Sequence, residues 1–221
     1  MLYMIIFGGA IFGGQFIAMA LVPKLAEKHD KTRMLIGSTI MGAIPFALIY
    51  PVYLLAPRDL DQPLWVAILF VVFALAGGGI GALSVLQSVM IADCVDYEEY
   101  HNGVRTDGVF FSGQSFITKL SGGIASILSA VVYHFVGYSD ANILKLNEAL
   151  KSGADFLSYD GGSGAGKYAA TMFFLISIPP AIGMVLSALP TIKYAMSDKE
   201  HSRILSELVA KRAAKNDDSA E

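Results

Sequence analysis

The strongest constraint on this chain is a set of five long apolar runs, with nearly all charge confined to the stretches between them. The runs cover 2–22, 34–56, 64–92, 108–137 and 168–192. A helix rises about 1.5 Å per residue, so roughly 20 apolar residues cross the ~30 Å hydrocarbon layer of a bilayer. In lipid every backbone N–H and C=O must be satisfied internally, and for long runs that do not alternate apolar with polar residues only a helix does so. Composition agrees: 54% of the residues are hydrophobic, 16% are charged and mean hydropathy is +0.55. The expected fold class is an all-α integral membrane protein with five transmembrane helices. The expected organisation is a membrane bundle over 1–196 and a cytoplasmic tail over 197–221. The net charge of -3 says little, because the charges sit in the loops. The bilayer is the expected partner, and nucleic acid is not.

Lysine and arginine asymmetry sets the orientation. Lys24, Lys28, Lys31 and Arg33 lie in the first loop, Arg105 in the third, and Lys193, Lys199, Arg203, Lys211, Arg212 and Lys215 in the tail. The opposite side carries only Arg58, Lys145, Lys151 and Lys167. The first side is therefore expected in the cytoplasm, with Met1 outside, in a cell (inner or plasma) membrane. The N-terminus is apolar at once, without a basic leader, and reads as a mature helix rather than a signal peptide. An odd number of spans that begins directly after Met1 predicts a further helix upstream, as though this were the back part of a larger protein. Cys94 is the single cysteine, so no internal disulfide is possible.

Between the third and fourth runs lies DCVDYEEYHNGVRTDGVFFSGQSFITK, Asp93 to Lys119. Its first half is dense in acids around Arg105, and its second half is an apolar helix carrying Lys119. A lysine inside an apolar run is a functional candidate by default, because it costs about 2.5–3.5 kcal/mol at the centre of a spanning helix. It lies eleven residues beyond Gly108, roughly 16 Å into the helix at ~1.5 Å per residue. Ser115 overlies it one turn earlier, with Ser112 a turn before that. Two readings stand: Lys119 faces a polar cavity or an acid, or it snorkels to the interface. None of the five runs contains an Asp or Glu at membrane depth, although sodium or proton coupling normally needs one.

Glycines recur in the runs. Gly9 with Gly13, and Gly77 with Gly81, share helix faces that permit close backbone approach; tight packing and flexing during transport are both open. Pro45, Pro51, Pro179 and Pro180 are candidate kinks. In the outer connection Ile143, Leu146 and Leu150 predict a short surface helix ended by Gly153. In the tail, Ser197 to Glu200 reads as a capping box. Ile204, Leu205, Leu208 and Val209 form one apolar face of an amphipathic helix, with disorder expected after Lys215.

Three signals mislead. GGSGAGK over Gly161–Lys167 fits half a P-loop, but Tyr168 replaces the magnesium-holding Ser/Thr and no apolar strand precedes it. Asp93, Asp96 and Glu99 could suggest a metal site, but Arg105 beside them favours ion pairing, and hard cations want several converging oxygens. His134 has no serine placed against it and reads as interfacial. No nucleophile–base or metal constellation points to an enzyme, and no cofactor is expected.

The residues Ala92–Glu99, then Gly103–Gly108 and Phe110-Phe111-Ser112, resemble the glycoside-pentoside-hexuronide:cation symporter family. Its pattern is roughly A-D-x-x-D-Y-x-E, then G-x-R-x-E-G-x-x-F-S, then a lysine in the next helix. Asp107 stands where glutamate is usual and keeps the charge, while Asn102 stands where threonine is common. Glu200-His201, Ile204, Leu208 and Arg212 resemble the family's closing pattern, and Pro23–Arg33 fits its connection between helices eight and nine. The resemblance implies the major facilitator fold, two six-helix bundles with the substrate between them, of which this chain matches helices eight to twelve. It implies that the N-terminal bundle, absent here, carries the cation-binding aspartates. It further implies that Lys119 and Ser115 couple co-transported Na+ or H+ to a sugar or glycoside. Asp93, Asp96, Tyr97, Glu99, Arg105 and Asp107 would then form a cytoplasmic gate; a merely solvated loop is the other reading of that cluster. The alternative function is a non-transporting bundle or half-transporter subunit that pairs with another chain.

Overall fold

A computed structural model describes residues 2–56, 62–154, 159, 168–192, 194 and 197–218. The described residues contain α1 (Leu2–Ala26), α2 (Lys31–Leu55), α3 (Pro63–Asn102), α4 (Asp107–Phe135), α5 (Asp140–Lys151), α6 (Tyr168–Ile192) and α7 (Asp198–Asp218), with no strand among them. Five of these, α1, α2, α3, α4 and α6, are long and apolar enough to cross a membrane. The expectation of an all-α membrane protein with five spans is met. The P-loop-like stretch 161–167 lies outside the described residues.

The helices start and stop for local reasons. Asp30 caps α2 by accepting from the Arg33 N–H at 3.0 Å. Pro63 opens α3, where a missing N–H costs nothing. Gly103 ends α3 at φ 70°, a left-handed turn that suits glycine, and its N–H returns to the Glu99 carbonyl at 2.9 Å. Ser139 caps α5, and Gly153 follows its end at φ 92°. Ser197 caps α7 by accepting from the Glu200 N–H at 3.2 Å. Glu200 does not complete the capping box; its carboxylate takes Arg203 instead. The α7 backbone continues past Lys215 to Asp218, where disorder had been expected.

Packing is led by α3, which lies against α1 on one side and α2 on another, while α6 packs on α2. Phe46, Ile49, Leu69, Phe73, Ala76, Ala10 and Ala181 form one core cluster; Ala18, Val22, Leu35, Ala82 and Leu86 form a second nearer the charged end. Backbone approach is closest where small residues allow it. A Cβ at Gly77 or Gly81 would collide with the Ile11 or Gln15 carbonyl of α1, and one at Gly79 with the Gly42 backbone of α2. Gly77 and Gly81 thus act as their spacing predicts. Gly9 and Gly13 do not, since nothing lies near their Cβ positions; it is Gly14 that meets α3, at the Ala74 carbonyl. Between the two prolines of α2, Ser177 of α6 reaches in. Its hydroxyl donates to the Phe46 carbonyl at 2.5 Å and accepts from the Tyr50 N–H at 3.1 Å, bridging an i, i+4 pair of the α2 ladder.

The remaining span differs from the others. No described side chain of α4 is buried, and its contact with α3 is slight.

Candidate functional site

At about 1.5 Å per residue, the 40 residues of α3 make a helix of roughly 60 Å, about twice the hydrocarbon thickness. Part of it must therefore stand beyond the hydrocarbon, and its charged residues lie in its last turns. The acidic half of the central stretch is helix up to Asn102, so the connection to α4 shrinks to Gly103–Thr106. This corrects the expectation of a loop over 93–107. The i, i+3 spacing of Asp93, Asp96 and Glu99 holds the three carboxylates along one side of α3, and cations from other elements meet them there.

Asp93 is buried, its side chain 8% exposed. The Lys31 Nζ, from the first turn of α2, donates to it at 2.6 Å. Lys31 also ties to α7: its backbone N–H donates to Asp198 Oδ2 at 3.2 Å, and Nζ lies 3.9 Å from Asp198 Oδ1. His201 of α7 places one ring nitrogen, Nε2, 3.4 Å from Asp93 Oδ1 and 3.2 Å from Asp96 Oδ2. Arg105 gathers three acids: Asp107 at 2.7 Å through Nε, and Asp96 and Glu99 at 3.1 Å each through one terminal nitrogen. Bonds to Asp107 first, then Glu99, hold its guanidinium above the ordinary arginine range. Arg212, from the far end of α7, forks onto both oxygens of Glu99, with Nε at 2.9 Å, and this pairing raises it in the same way.

The expected gate residues thus divide. Asp96, Glu99 and Asp107 share Arg105, while Asp93 belongs to Lys31 and His201. Tyr97 stands aside, 44% exposed and stacked on His101 at 4.2 Å between ring centroids. Its neighbour Tyr100, unpredicted, donates to Glu207 Oε2 at 2.7 Å, and the Lys211 ammonium sits 4.4 Å from its ring centroid. Lys31, Asp198, His201 and Arg212 are likewise partners that sequence reading did not place here. A signal existed for two of them. His201, Ile204, Leu208 and Arg212 recur at helical spacing, and Ile204 and Leu208 are the buried ones among the described side chains of α7, at 1% and 5% exposure. Leu205 and Val209, assigned to the same apolar face, are exposed instead. Among the described residues no group of three His, Cys, Asp or Glu is arranged to hold a metal ion.

Lys119 and Ser115 lie well apart in kind from this cluster. Both are exposed on α4, and among the described residues Lys119 has no hydrogen-bond or ion-pair partner. Together with Gly108, Ser112, Gly122 and Ser126, at steps of three and four, they make one small and polar stripe along a span whose other residues are mostly apolar.

The chain matches the family described as MFS/sugar transport protein over residues 2–198. It is 26% identical to the "Putative sulfoquinovose importer" of Salmonella typhimurium over 143 residues, covering 61% of this chain and 28% of that one. It is 32% identical to the isoprimeverose transporter of Lactiplantibacillus pentosus over 138 residues, covering 62% of this chain and 24% of the relative. The matched part is thus about a quarter of the length of these curated relatives. No solved structure matches it. Five apolar spans, a charged helical end and a match over nearly the whole length make one conclusion plain: this chain is a multi-pass membrane protein that belongs to the MFS/sugar transport protein family.

Proposed function

We propose that these five spans serve as the C-terminal portion of a cation-coupled sugar symporter that works by alternating access. The observation that carries the reading is Lys119: a cation roughly 16 Å into α4, on a polar stripe, in a span that buries none of its described side chains. Such a lysine in hydrocarbon is costly unless it faces water, an acid or a polar substrate. A transporter site near the midplane, between two helical bundles, supplies that environment. In this reading Lys119 and Ser115 face the substrate path, with the coupling acid contributed by a complementary bundle. Charge asymmetry favours a cytoplasmic position for the α3–α7 cluster, and in this reading Asp93, Asp96, Glu99, Arg105 and Asp107 hold an inward gate there. Membership of a sugar transport family, and relatives described as a sulfoquinovose importer and an isoprimeverose transporter, favour a sugar or glycoside as cargo. The driving ion is Na+ or H+.

The test is uptake in proteoliposomes containing this chain, alone and with the complementary N-terminal helices of a relative. Alone, the chain should show no saturable, sodium- or proton-stimulated glycoside accumulation, because no Asp or Glu lies at membrane depth. In the reconstituted pair, Lys119→Ala should abolish accumulation at matched insertion. Lys119→Arg should retain little, since a planar fork replaces a compact ammonium poorly. Concentrative uptake by Lys119→Ala at the parent level would make Lys119 a structural residue and sink the assignment.

A further inference from the structure

The helix α7 is attached to the bundle in a way that gate chemistry alone does not require. Among its described side chains the buried ones are Ile204 and Leu208. The rest of its hold is electrostatic: Asp198 to Lys31, His201 to Asp93 and Asp96, Glu207 to Tyr100, Arg212 to Glu99. An element fastened by little apolar area and many charges is one whose attachment can be switched by charge.

The charges that meet there do not balance. Five carboxylates, Asp93, Asp96, Glu99, Asp107 and Asp198, face three permanent cations, Lys31, Arg105 and Arg212. Among the described residues His201 is the one titratable group placed against these carboxylates to supply a fourth cation. It is sheltered, its side chain 15% exposed, with both nearby carboxylates within 3.4 Å of the same ring nitrogen. The two carboxylates that face it, Asp93 and Asp96 of α3, are shared with Lys31 of α2 and with Arg105 of the connection; Asp198 of α7 also pairs with Lys31, Glu99 also pairs with Arg105, and Tyr194, before α7, lies near Asp93. With two acceptors before it, Nε2 must carry a hydrogen whether the ring is neutral or charged. What protonation of the other nitrogen changes is the net charge: the hydrogen bond to Asp96 becomes charge-assisted, and Asp93 gains a cation at ion-pair distance.

We infer that α7 is a proton-operated clamp: protonated His201 fastens it across Asp93 and Asp96 of α3, and loss of that proton loosens it. The inference is independent of what the protein carries. It concerns only whether α7 lies on α3.

The experiment uses the whole chain in lipid nanodiscs, with Cys94→Ser removing the single thiol and spin labels on Lys28→Cys and Ser206→Cys, both exposed sites. Distances are measured by pulsed electron resonance at about pH 5.5 and about pH 8.5. The expected result is one short distance at the acid end and a second, longer one at the alkaline end. The released-to-clamped ratio should rise about five- to tenfold, the factor separating a charge-assisted from a neutral hydrogen bond. Ile204→Asp should give the longer distance at both pH values and so calibrates the released state. His201→Gln should give one ratio at both pH values, whereas His101→Gln should respond as the parent does. An unchanged distance distribution in the parent overturns the clamp. So does a response that persists in His201→Gln, which would assign the proton to another group.

Discussion

Consider replacing Lys31 with methionine. In the folded protein its ammonium lies 2.6 Å from Asp93, with side-chain exposures of 18% and 8%. Methionine keeps much of the aliphatic stem and removes the charge. Asp93 then remains enclosed, with His201 at 3.4 Å as the one other basic side chain paired with it among the described residues. Removing one partner of a buried ion pair costs about 3–5 kcal/mol, mostly as the penalty on the charge left behind. Since His201 offers partial compensation, the low end applies, ~3 kcal/mol. Asp93→Asn strands Lys31 less severely, because Asp198 lies 3.9 Å away. The pair replacement, Lys31→Met with Asp93→Asn, removes both charges and should cost less than the sum of the two single changes, by a coupling of about 2 kcal/mol. With ~2–4 °C of melting temperature per kcal/mol for a chain of this size, Lys31→Met should melt roughly 6–12 °C lower. Loss of helical circular dichroism on heating in nanodiscs measures all four proteins of the cycle. A fall below about 2 °C for Lys31→Met, with strictly additive effects in the double variant, would mean the pair behaves as a solvent-exposed one, and the burial argument would fail.

Three further outcomes follow from particular contacts. Gly77→Ala drives a methyl into the Ile11 carbonyl and should cost about 1–3 kcal/mol as overpacking, whereas Gly9→Ala meets nothing and should stabilise by a few tenths to about 1 kcal/mol through helix propensity; equal melting shifts would refute the α1–α3 seam. Ser177→Ala leaves the Phe46 carbonyl and Tyr50 N–H of α2 without their shared hydroxyl and should cost about 1–3 kcal/mol, read by the same melting assay and by faster amide exchange at Tyr50. An impermeant maleimide applied to intact cells should leave Cys94 unlabelled while labelling it in opened membranes, because Cys94 sits at the charged end that the positive-inside asymmetry directs to the cytoplasm; rapid labelling from outside would reverse that orientation.

Much of this architecture was legible residue by residue. Long runs without acids leave no choice but helices, since lipid offers the backbone no hydrogen-bond partner, and the five spans appear where such runs occur. A short-range signal was legible because it is local: Ser197 caps the helix it immediately precedes, and Asp30 and Ser139, which the sequence reading did not single out, cap theirs in the same way. The acidic end of α3 was harder. Asp93 to Asn102 is rich in charge and looks like a loop to any reading based on apolarity, yet it is helix because its carboxylates are neutralised from elsewhere.

That neutralisation is what the tertiary structure decided. By sequence alone, Lys31 and Asp198 are ordinary loop and tail charges, and the helical spacing of His201 and Arg212 names no partner; the contacts they make span as many as 167 residues. No periodicity encodes contacts across such separations. Likewise Gly9 with Gly13 and Gly77 with Gly81 share one spacing, and only the docking of α1 distinguishes the pair that meets backbone from the pair that meets nothing. Local pattern determined which segments are helices and which must lie in the membrane, because those outcomes depend on each segment's own hydrogen bonds and hydropathy. Which helix faces meet, and which cation answers which carboxylate, depended on the whole chain, because an ion pair or a helix seam is a property of two segments and is written in neither.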